Sequence, residues 1–169
     1  MKKIIGILIL LCSLPVQAQK VEIAVGDNWV EIPAQQTQSE LKPGWKIVDY
    51  QMKSRLIHYL SGGRATQLVE GNRPVLRVTP GPDEVLVDYA VIRLKGFKSY
   101  RKLPKPGLSD NDYVRLELRY FDIKAQSDSF VCQSHQPLQP GEYILVCLSQ
   151  KPIGDLGDLL VYPFGVMKD

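Results

Sequence analysis

The spacing of short β-forming runs is the feature that most constrains the fold of this chain. After residue 18, runs rich in valine, isoleucine, leucine and tyrosine are separated by clusters of glycine, proline, asparagine and aspartate, and no segment sustains the apolar period of a helix. Those four residue types mark turns. Short strands broken by regular turns are typical of sandwiches and barrels. The sequence therefore predicts an all-β fold, an Ig-like antiparallel β-sandwich, with a small β-barrel as the alternative.

Eleven runs are predicted to be strands. Those in the first half are Lys20 to Val25, Asn28 to Pro33, Lys46 to Tyr50, Arg55 to Leu60, Thr66 to Val69 and Pro74 to Val78. Those in the second half are Glu84 to Lys95, Tyr113 to Asp122, Ser129 to Gln133, Glu142 to Leu148 and Leu159 to Phe164. We expect Gln35 to Leu41 to form one helical turn at most. The proline-rich stretch Leu103 to Leu108 is predicted to be a long loop.

Two of these runs indicate how many of their faces are buried. From Val114 to Tyr120, apolar residues alternate with charged ones, which predicts one face in the core and one in water. From Val85 to Ile92, apolar residues occupy both odd and even positions, which would point to opposite faces of a strand. A strand covered on both faces has this pattern, so we place the second run centrally in its sheet.

The first 18 residues have the order of a secretory signal peptide. Lys2 and Lys3 give a charged start, the apolar run Ile4 to Leu14 follows, and the segment ends in small residues at Ala18. The apolar run spans 11 residues, whereas a membrane-spanning helix needs roughly 20. We therefore predict cleavage after Ala18, a periplasmic or secreted location, and no transmembrane segment after cleavage.

Two other interpretations of this segment are open. A buried N-terminal helix would need an amphipathic or capped setting, which the segment lacks. A lipoprotein signal would use Cys12, but Leu11 stands where such a signal usually has a small residue. Cleavage after residue 18 leaves residues 19–169, and these 151 residues suit a single all-β domain.

The overall charge does not indicate a partner. The full chain carries a formal net charge of +3. Removal of the two signal lysines lowers the number of basic residues from 21 to 19, against 18 acidic residues. A chain so close to neutral has no general attraction for nucleic acid or membranes, so an electrostatic site must be local.

The predicted mature chain contains two cysteines, Cys132 and Cys147. An oxidising compartment favours a disulfide between them, and closing a loop of about 15 residues contributes roughly 3 kcal/mol in the chain-entropy model. Two buried free thiols are one alternative. A metal site is another alternative. Cys132 and His135 have a C-x-x-H spacing, and with Cys147 they would give a metal ion three ligands and leave its fourth coordination position open. The disulfide is the interpretation we prefer.

The end of the chain resembles the closing strands of a known kind of protein. Leu138 to Val146, with its Pro-Gly-Glu-Tyr stretch, and Tyr162 to Val166 are similar to the last strands of small exported bacterial Ig-like β-sandwich proteins of unassigned function. The turn Glu70 to Pro74 shares the likeness. The resemblance implies a fold and carries over no catalytic or binding residue.

The sharpest local feature is a basic run without acidic neighbours. Phe97 and Tyr100 are interleaved with it, and no acidic residue stands between Asp88 and Asp110. The basic residues, which we predict to bind a partner, are Arg93, Lys95, Lys98, Arg101, Lys102 and Lys105. They would give one hairpin a positive field. The alternative is a solvated hairpin whose lysines discourage edge-to-edge pairing.

Signals of catalysis are weak. A triad would need His58 or His135, the only histidines, and His58 shares a strand face with Leu56 and Leu60, which predicts a core histidine. No Gly-x-Ser-x-Gly elbow or phosphate-binding glycine loop is present, and the acidic clusters near residues 110 and 155 lack calcium-loop spacing. We predict no catalytic residue, no metal ligand and no cofactor.

These observations favour an exported, non-catalytic β-sandwich protein, a binding or structural module of the cell envelope. Its predicted partner is another envelope protein or an anionic surface such as a lipid head group or an acidic glycan, and not nucleic acid. Two alternatives are a small hydrolase or metal-binding enzyme near His135 and a lipocalin-like carrier of a small ligand.

Overall fold

The structure is a computed structural model that describes residues 19–42, 46–47, 50–51, 55–104, 113–115, 121–149 and 159–167. The predicted signal peptide lies outside the described residues. The strands, in chain order, are β1 (Lys20–Val25), β2 (Asn28–Glu31), β3 (Gln35–Gln36), β4 (Gln38–Lys42), β5 (Lys46–Ile47), β6 (Tyr50–Gln51), β7 (Arg55–Ser61), β8 (Gln67–Val69), β9 (Val75–Thr79), β10 (Tyr89–Gly96), β11 (Tyr100–Lys102), β12 (Tyr113–Arg115), β13 (Phe121–Ala125), β14 (Phe130–Ser134), β15 (Gly141–Cys147) and β16 (Leu160–Val166). Among the residues described, one turn of 3-10 helix (Leu86–Asp88) is the only helical element. The predicted all-β fold is confirmed.

Most of these strands form two sheets. The first has five antiparallel strands in the order β13-β14-β9-β1-β2. The second has nine strands, with a path β3-β16-β15-β10-β11-β7-β4, while β12 pairs with β10 and β8 pairs in parallel with β16. The second sheet curls toward a barrel, so the architecture fits both a sandwich and a small barrel. No helix in the described part of the chain is long and apolar enough to cross a membrane.

Alternation of side chains along the strands produces two apolar cores. The first lies between the sheets, where Val21 and Ile23 of β1 meet Tyr89 and Val91 of β10. The second contains the alternate residues of β10, among them Ile92, which point to the opposite face from Tyr89 and Val91. Residues of β7, β15 and β16 complete this core. Because strands so far apart in the second sheet share one cluster, that sheet must curl around it. Strand β10 is therefore covered on both faces, as predicted, whereas Val85 and Val87 of the same predicted run precede the strand and are exposed.

Several segments differ from the prediction. Gln35 to Leu41 forms strands β3 and β4 instead of a helical turn, because its partners are distant in sequence: β3 pairs with β16, β4 pairs with β7, and Thr37 exchanges two hydrogen bonds with Leu159. The run from Glu84 begins with the 3-10 turn and becomes a strand only at Tyr89. The predicted strand from Lys46 is two short strands that pair with each other. Strand β11 was not predicted.

Cys132 and Cys147 are buried free thiols, so the predicted disulfide is not found. The two residues belong to different sheets, Cys132 to β14 and Cys147 to β15, and both face the first core. Burial raises the pKa of Cys132 to about 12. The pKa of Cys147 is also raised by burial, against an opposing hydrogen bond with Ser149, whose Oγ lies 3.1 Å from the sulfur.

We expect both thiols to resist alkylation by iodoacetamide at mildly alkaline pH until the protein unfolds. The thiolate is the reactive form, and a raised pKa together with burial removes it in the folded state. A purified chain that begins at Gln19, alkylated before and after unfolding in urea and weighed by mass spectrometry, should gain two adducts only after unfolding. A chain that gains none after unfolding would carry the disulfide and contradict the structure.

Candidate functional site

Five of the six basic residues predicted to bind a partner, those from Arg93 to Lys102, lie in the hairpin of β10 and β11. Lys95 stands opposite Lys102, and Gly96 stands opposite Arg101. The chain reverses between them, and the backbone N–H of Phe97 donates to the carbonyl of Tyr100 at 2.8 Å. The reversal projects the residues between Gly96 and Tyr100 beyond the end of the paired strands.

Aromatic rings and lysines share the end of this hairpin. The Phe97 ring stacks on Tyr100 with centroids 4.6 Å apart and planes 13° from parallel, and Tyr100 makes an edge contact with Tyr59 at 5.8 Å. The Lys95 ammonium lies 5.8 Å from the Phe97 ring centroid. Lys95, Phe97 and Lys98 are exposed, and Phe97 keeps 39% of its surface in solvent. We name Lys95, Phe97, Lys98 and Tyr100 the tip surface.

Arg101 is not part of this surface, contrary to the prediction. Only 1% of it is exposed, and its side chain faces the interior. Its Nε donates to the carbonyl of Gly62 at 3.0 Å, and its Nη2 donates to the carbonyl of Ser61 at 3.1 Å and to Gln35 Oε1 at 3.0 Å. Because successive residues of a strand point to opposite faces, Arg101 turns inward while Tyr100 and Lys102 do not.

A carboxylate accompanies the buried guanidinium. Glu142 Oε2 lies 3.6 Å from Arg101 Nη1, which has no hydrogen-bond partner among the described residues. The same oxygen accepts a hydrogen bond from the backbone N–H of Ala65 at 2.7 Å. Burial lowers the pKa of Arg101, and the charge of Glu142 acts in the opposite direction. The turn between β7 and β8 is therefore hydrogen-bonded to Arg101 through its first carbonyls and to Glu142 through a later N–H.

That turn supports the tip of the hairpin from behind. The N–H of Gly62 donates to the carbonyl of Ser99 at 3.0 Å. A Cβ on Gly63 would lie 2.5 Å from the carbonyl oxygen of Lys98 and 2.8 Å from that of Phe97, so the two backbones approach as closely as a glycine allows. The backbone beneath the tip surface is therefore held in place before any partner binds.

The other predicted binding residues have different surroundings. Arg93 donates to Gln139 Oε1 at 2.6 Å and to the carbonyl of Pro140 at 3.2 Å, which ties it to the loop before β15. Lys102 is half-buried, and Lys105 lies outside the described residues. Of the six basic residues, Lys95 and Lys98 are the two that are exposed in the described part of the chain. Arg64, which no sequence pattern singled out, is also exposed in the supporting turn.

The two histidines occupy unlike positions. His58 is buried, as its neighbours in sequence predict, and its Nδ1 lies 2.9 Å from Ser39 Oγ, the hydrogen bond that a nucleophile and its base would make. Within the described residues no second side chain is hydrogen-bonded to His58, whereas a triad needs a third group to orient the base. His135 is exposed and pairs with Asp122, with Nε2 and Oδ1 2.9 Å apart.

The metal alternative joined His135 with the two cysteines. The structure turns Cys132 into the first core and leaves His135 on the surface. Among the residues that are described, no three His, Cys, Asp or Glu side chains gather in a way that would hold a metal ion.

Two shallow grooves lie on the outer face of the five-stranded sheet. One, of about 460 Å³, runs beside His135. The other, of about 390 Å³, is lined by Lys20, Glu22, Arg77 and neighbouring polar residues. Its charges neutralise each other: Arg77 Nε donates to Glu22 at 2.6 Å and holds the pKa of that carboxyl below its usual value, and the guanidinium covers the ring of Trp29 at 4.5 Å. This face lacks the one-sided charge of the tip surface.

Comparison with known proteins gives no match to a family model, to a curated protein or to a solved structure. The function must therefore be argued from the chain's own geometry. By that criterion the tip surface is the best candidate site, because it combines exposed charge of one sign, exposed aromatic area and a fixed backbone.

Proposed function

We propose that this protein is a non-catalytic binding module of the cell envelope, exported through a cleaved signal peptide, whose tip surface contacts an anionic partner. The observation that carries the proposal is that exposed Lys95 and Lys98 share the end of a hairpin with the stacked rings of Phe97 and Tyr100. Ammonium groups attract acidic groups on a partner, and the rings supply apolar contact area beside them.

Rigidity of the hairpin supports this assignment. The carbonyls of Phe97 and Lys98 pack directly on Gly63, and buried Arg101 fastens the turn on which they rest. A surface that is ordered before binding loses less conformational freedom when the complex forms. The lysines alone would give a weak site, since exposed charge pairs contribute about 0.2–1 kcal/mol each. The remaining free energy of binding would come from the preorganised backbone and from apolar contact with the aromatic pair.

The test is a mild-crosslinking pull-down of the tagged protein from its own cell envelope, with bound proteins and lipids identified by mass. Reversing both exposed charges with Lys95→Glu and Lys98→Glu should lower recovery of the partner about tenfold, because two attractions become repulsions. The double variant should fold normally, since neither ammonium is buried.

A matched control changes the net charge by the same amount elsewhere. Arg73→Glu with Lys124→Glu alters two exposed basic residues of the β8–β9 turn and of β13. This control should recover as much partner as the natural chain. Equal recovery by the Lys95→Glu/Lys98→Glu variant and the natural chain would refute the tip surface as the binding site.

A further inference from the structure

A polar cluster at one end of the first core holds the side chain of Gln19. Its Nε2 lies 2.8 Å from the hydroxyl of Tyr89 and donates to it. The hydroxyl of Tyr162 lies 3.1 Å from Gln19 Oε1 and 3.2 Å from the backbone oxygen of the same residue, and donates to both. Both ends of the side-chain amide are therefore bound by protein groups.

The orientation of this amide is fixed by a third residue. Tyr89 Oη donates its single proton to Glu84 Oε2 at 2.6 Å, and the same carboxylate oxygen accepts the N–H of Gly81 at 2.7 Å. Having given its proton to Glu84, the Tyr89 hydroxyl is left as an acceptor for Gln19. The amide nitrogen must face Tyr89, and the amide oxygen must face Tyr162.

Both tyrosines remain neutral donors near neutral pH. Tyr89 has no exposed surface, and Tyr162 is 3% exposed. Burial raises the pKa of Tyr162 to about 12 and that of Tyr89 well above its ordinary value. The hydrogen bonds to Gln19 therefore persist over the whole range in which the protein would work.

The cluster also joins the two sheets. Gln19 directly precedes β1 of the five-stranded sheet, whereas Tyr89 belongs to β10 and Tyr162 to β16 of the nine-stranded sheet. A single glutamine side chain thus links the sheets where the first strand begins. A chemical change in this amide would therefore alter the hydrogen bonds that connect the two sheets.

The position of Gln19 matters because we predict signal-peptide cleavage directly before it. An N-terminal glutamine is chemically unstable: its unprotonated α-amine attacks Cδ of its own side chain, an N–Cδ bond forms, the Cδ–Nε2 bond breaks and ammonia leaves. The product is a five-membered lactam that has lost the Nε2 donor. The reaction is intramolecular and requires no other reactant.

We propose that the fold protects an N-terminal Gln19 from cyclisation by holding its side-chain amide between Tyr89 and Tyr162. Movement of Cδ toward the amine is opposed by the hydrogen bonds that hold the amide, and expulsion of Nε2 as ammonia removes the bond to Tyr89. Ring closure would also leave the Tyr89 hydroxyl without its donor inside the core, which disfavours the product. The inference rests on cleavage after Ala18 and is independent of partner binding at the tip surface.

The experiment uses the chain released from a fusion so that Gln19 is its first residue. Loss of one ammonia is followed by intact-mass spectrometry at neutral pH, with the protein folded and with the same protein unfolded in urea. The folded protein should cyclise at least about tenfold more slowly, because the hydrogen bonds that hold the amide oppose ring closure. Equal rates in the two states would overturn the proposal.

Three tyrosine variants locate the protection. Tyr162→Phe removes the donor to both Gln19 oxygens, and Tyr89→Phe removes the acceptor for Nε2, so each should speed cyclisation of the folded chain roughly fivefold. The matched control is Tyr143→Phe, which deletes another hydroxyl from the same core, one bonded to the carbonyl of Gln139. Its rate should equal that of the natural chain, and a control that cyclises as fast as the other two would refute the specific role of the cluster.

A second measurement tests the cleavage site itself. Protein recovered from the cell envelope should have the mass of a chain that begins at an intact Gln19. A chain beginning at any other residue, or one already lacking ammonia, would overturn the proposal while leaving the binding function of the tip surface untouched.

Discussion

Replacing Arg101 with methionine should lower the free energy of unfolding by about 3–5 kcal/mol, the usual cost of removing one partner of a buried ion pair. The guanidinium is 1% exposed, and its loss would leave the Glu142 carboxylate without its compensating charge and two turn carbonyls without donors. Urea unfolding followed by circular dichroism at neutral pH would measure the change.

A second variant distinguishes a buried charge from lost packing. Glu142→Gln keeps an oxygen to accept the N–H of Ala65 but removes the negative charge. In the Arg101→Met background this change should restore part of the lost stability, since the uncompensated charge is gone. A loss below about 1 kcal/mol for Arg101→Met alone would place the guanidinium in solvent and contradict the structure.

Gly63→Ala should cost about 3 kcal/mol, at the upper end of the usual penalty for overpacking. The added Cβ would stand 2.5 Å and 2.8 Å from two carbonyl oxygens of the facing hairpin, and backbone atoms cannot turn aside as a flexible side chain would. The strands that carry the tip surface would have to separate from the turn, so the binding that we propose for this surface should weaken together with stability.

Gly96→Ala is the matched control, because it lies in the same hairpin and, apart from its two chain neighbours, no described residue has an atom within 4 Å of the position its Cβ would take. Its free energy of unfolding should stay within about 0.5 kcal/mol of the natural value. Equal losses for the two alanine variants would show that the hairpin, and not the contact with Gly63, is sensitive to substitution.

Local patterns gave reliable strands where apolar residues alternate. The alternation of Val21 and Ile23 with charged neighbours fixed β1 with the bounds that the structure has. The glycine-containing turns before β2 and β9 hold Gly26 and Gly71 at positive φ, a conformation that glycine adopts without strain. These features depend on a few neighbouring residues, so a sequence is enough to predict them.

Strands without an apolar stripe were missed for a physical reason. β3 and β4 consist largely of glutamine, serine and other polar residues, and they are strands because β16 and β7 offer them backbone partners. A hydrogen-bonded ladder requires two strands, and only one of them is visible in a local stretch of sequence.

Some features of the candidate site were also predictable from the sequence, whereas others depend on strands that are distant in the chain. The part of the basic run from Arg93 to Lys102, with its interleaved aromatics, forms a hairpin in which Lys95, Phe97 and Lys98 are exposed. The sequence by itself determined that neighbouring residues of this hairpin point in opposite directions. Only the tertiary structure decided that the direction of Arg101 is inward, because the curl of the nine-stranded sheet brings Glu142 and the β7–β8 turn to enclose its charge. The alternation of side chains along a strand assigns residues to two faces. Which of those faces meets the core is set by strands that are distant in the chain.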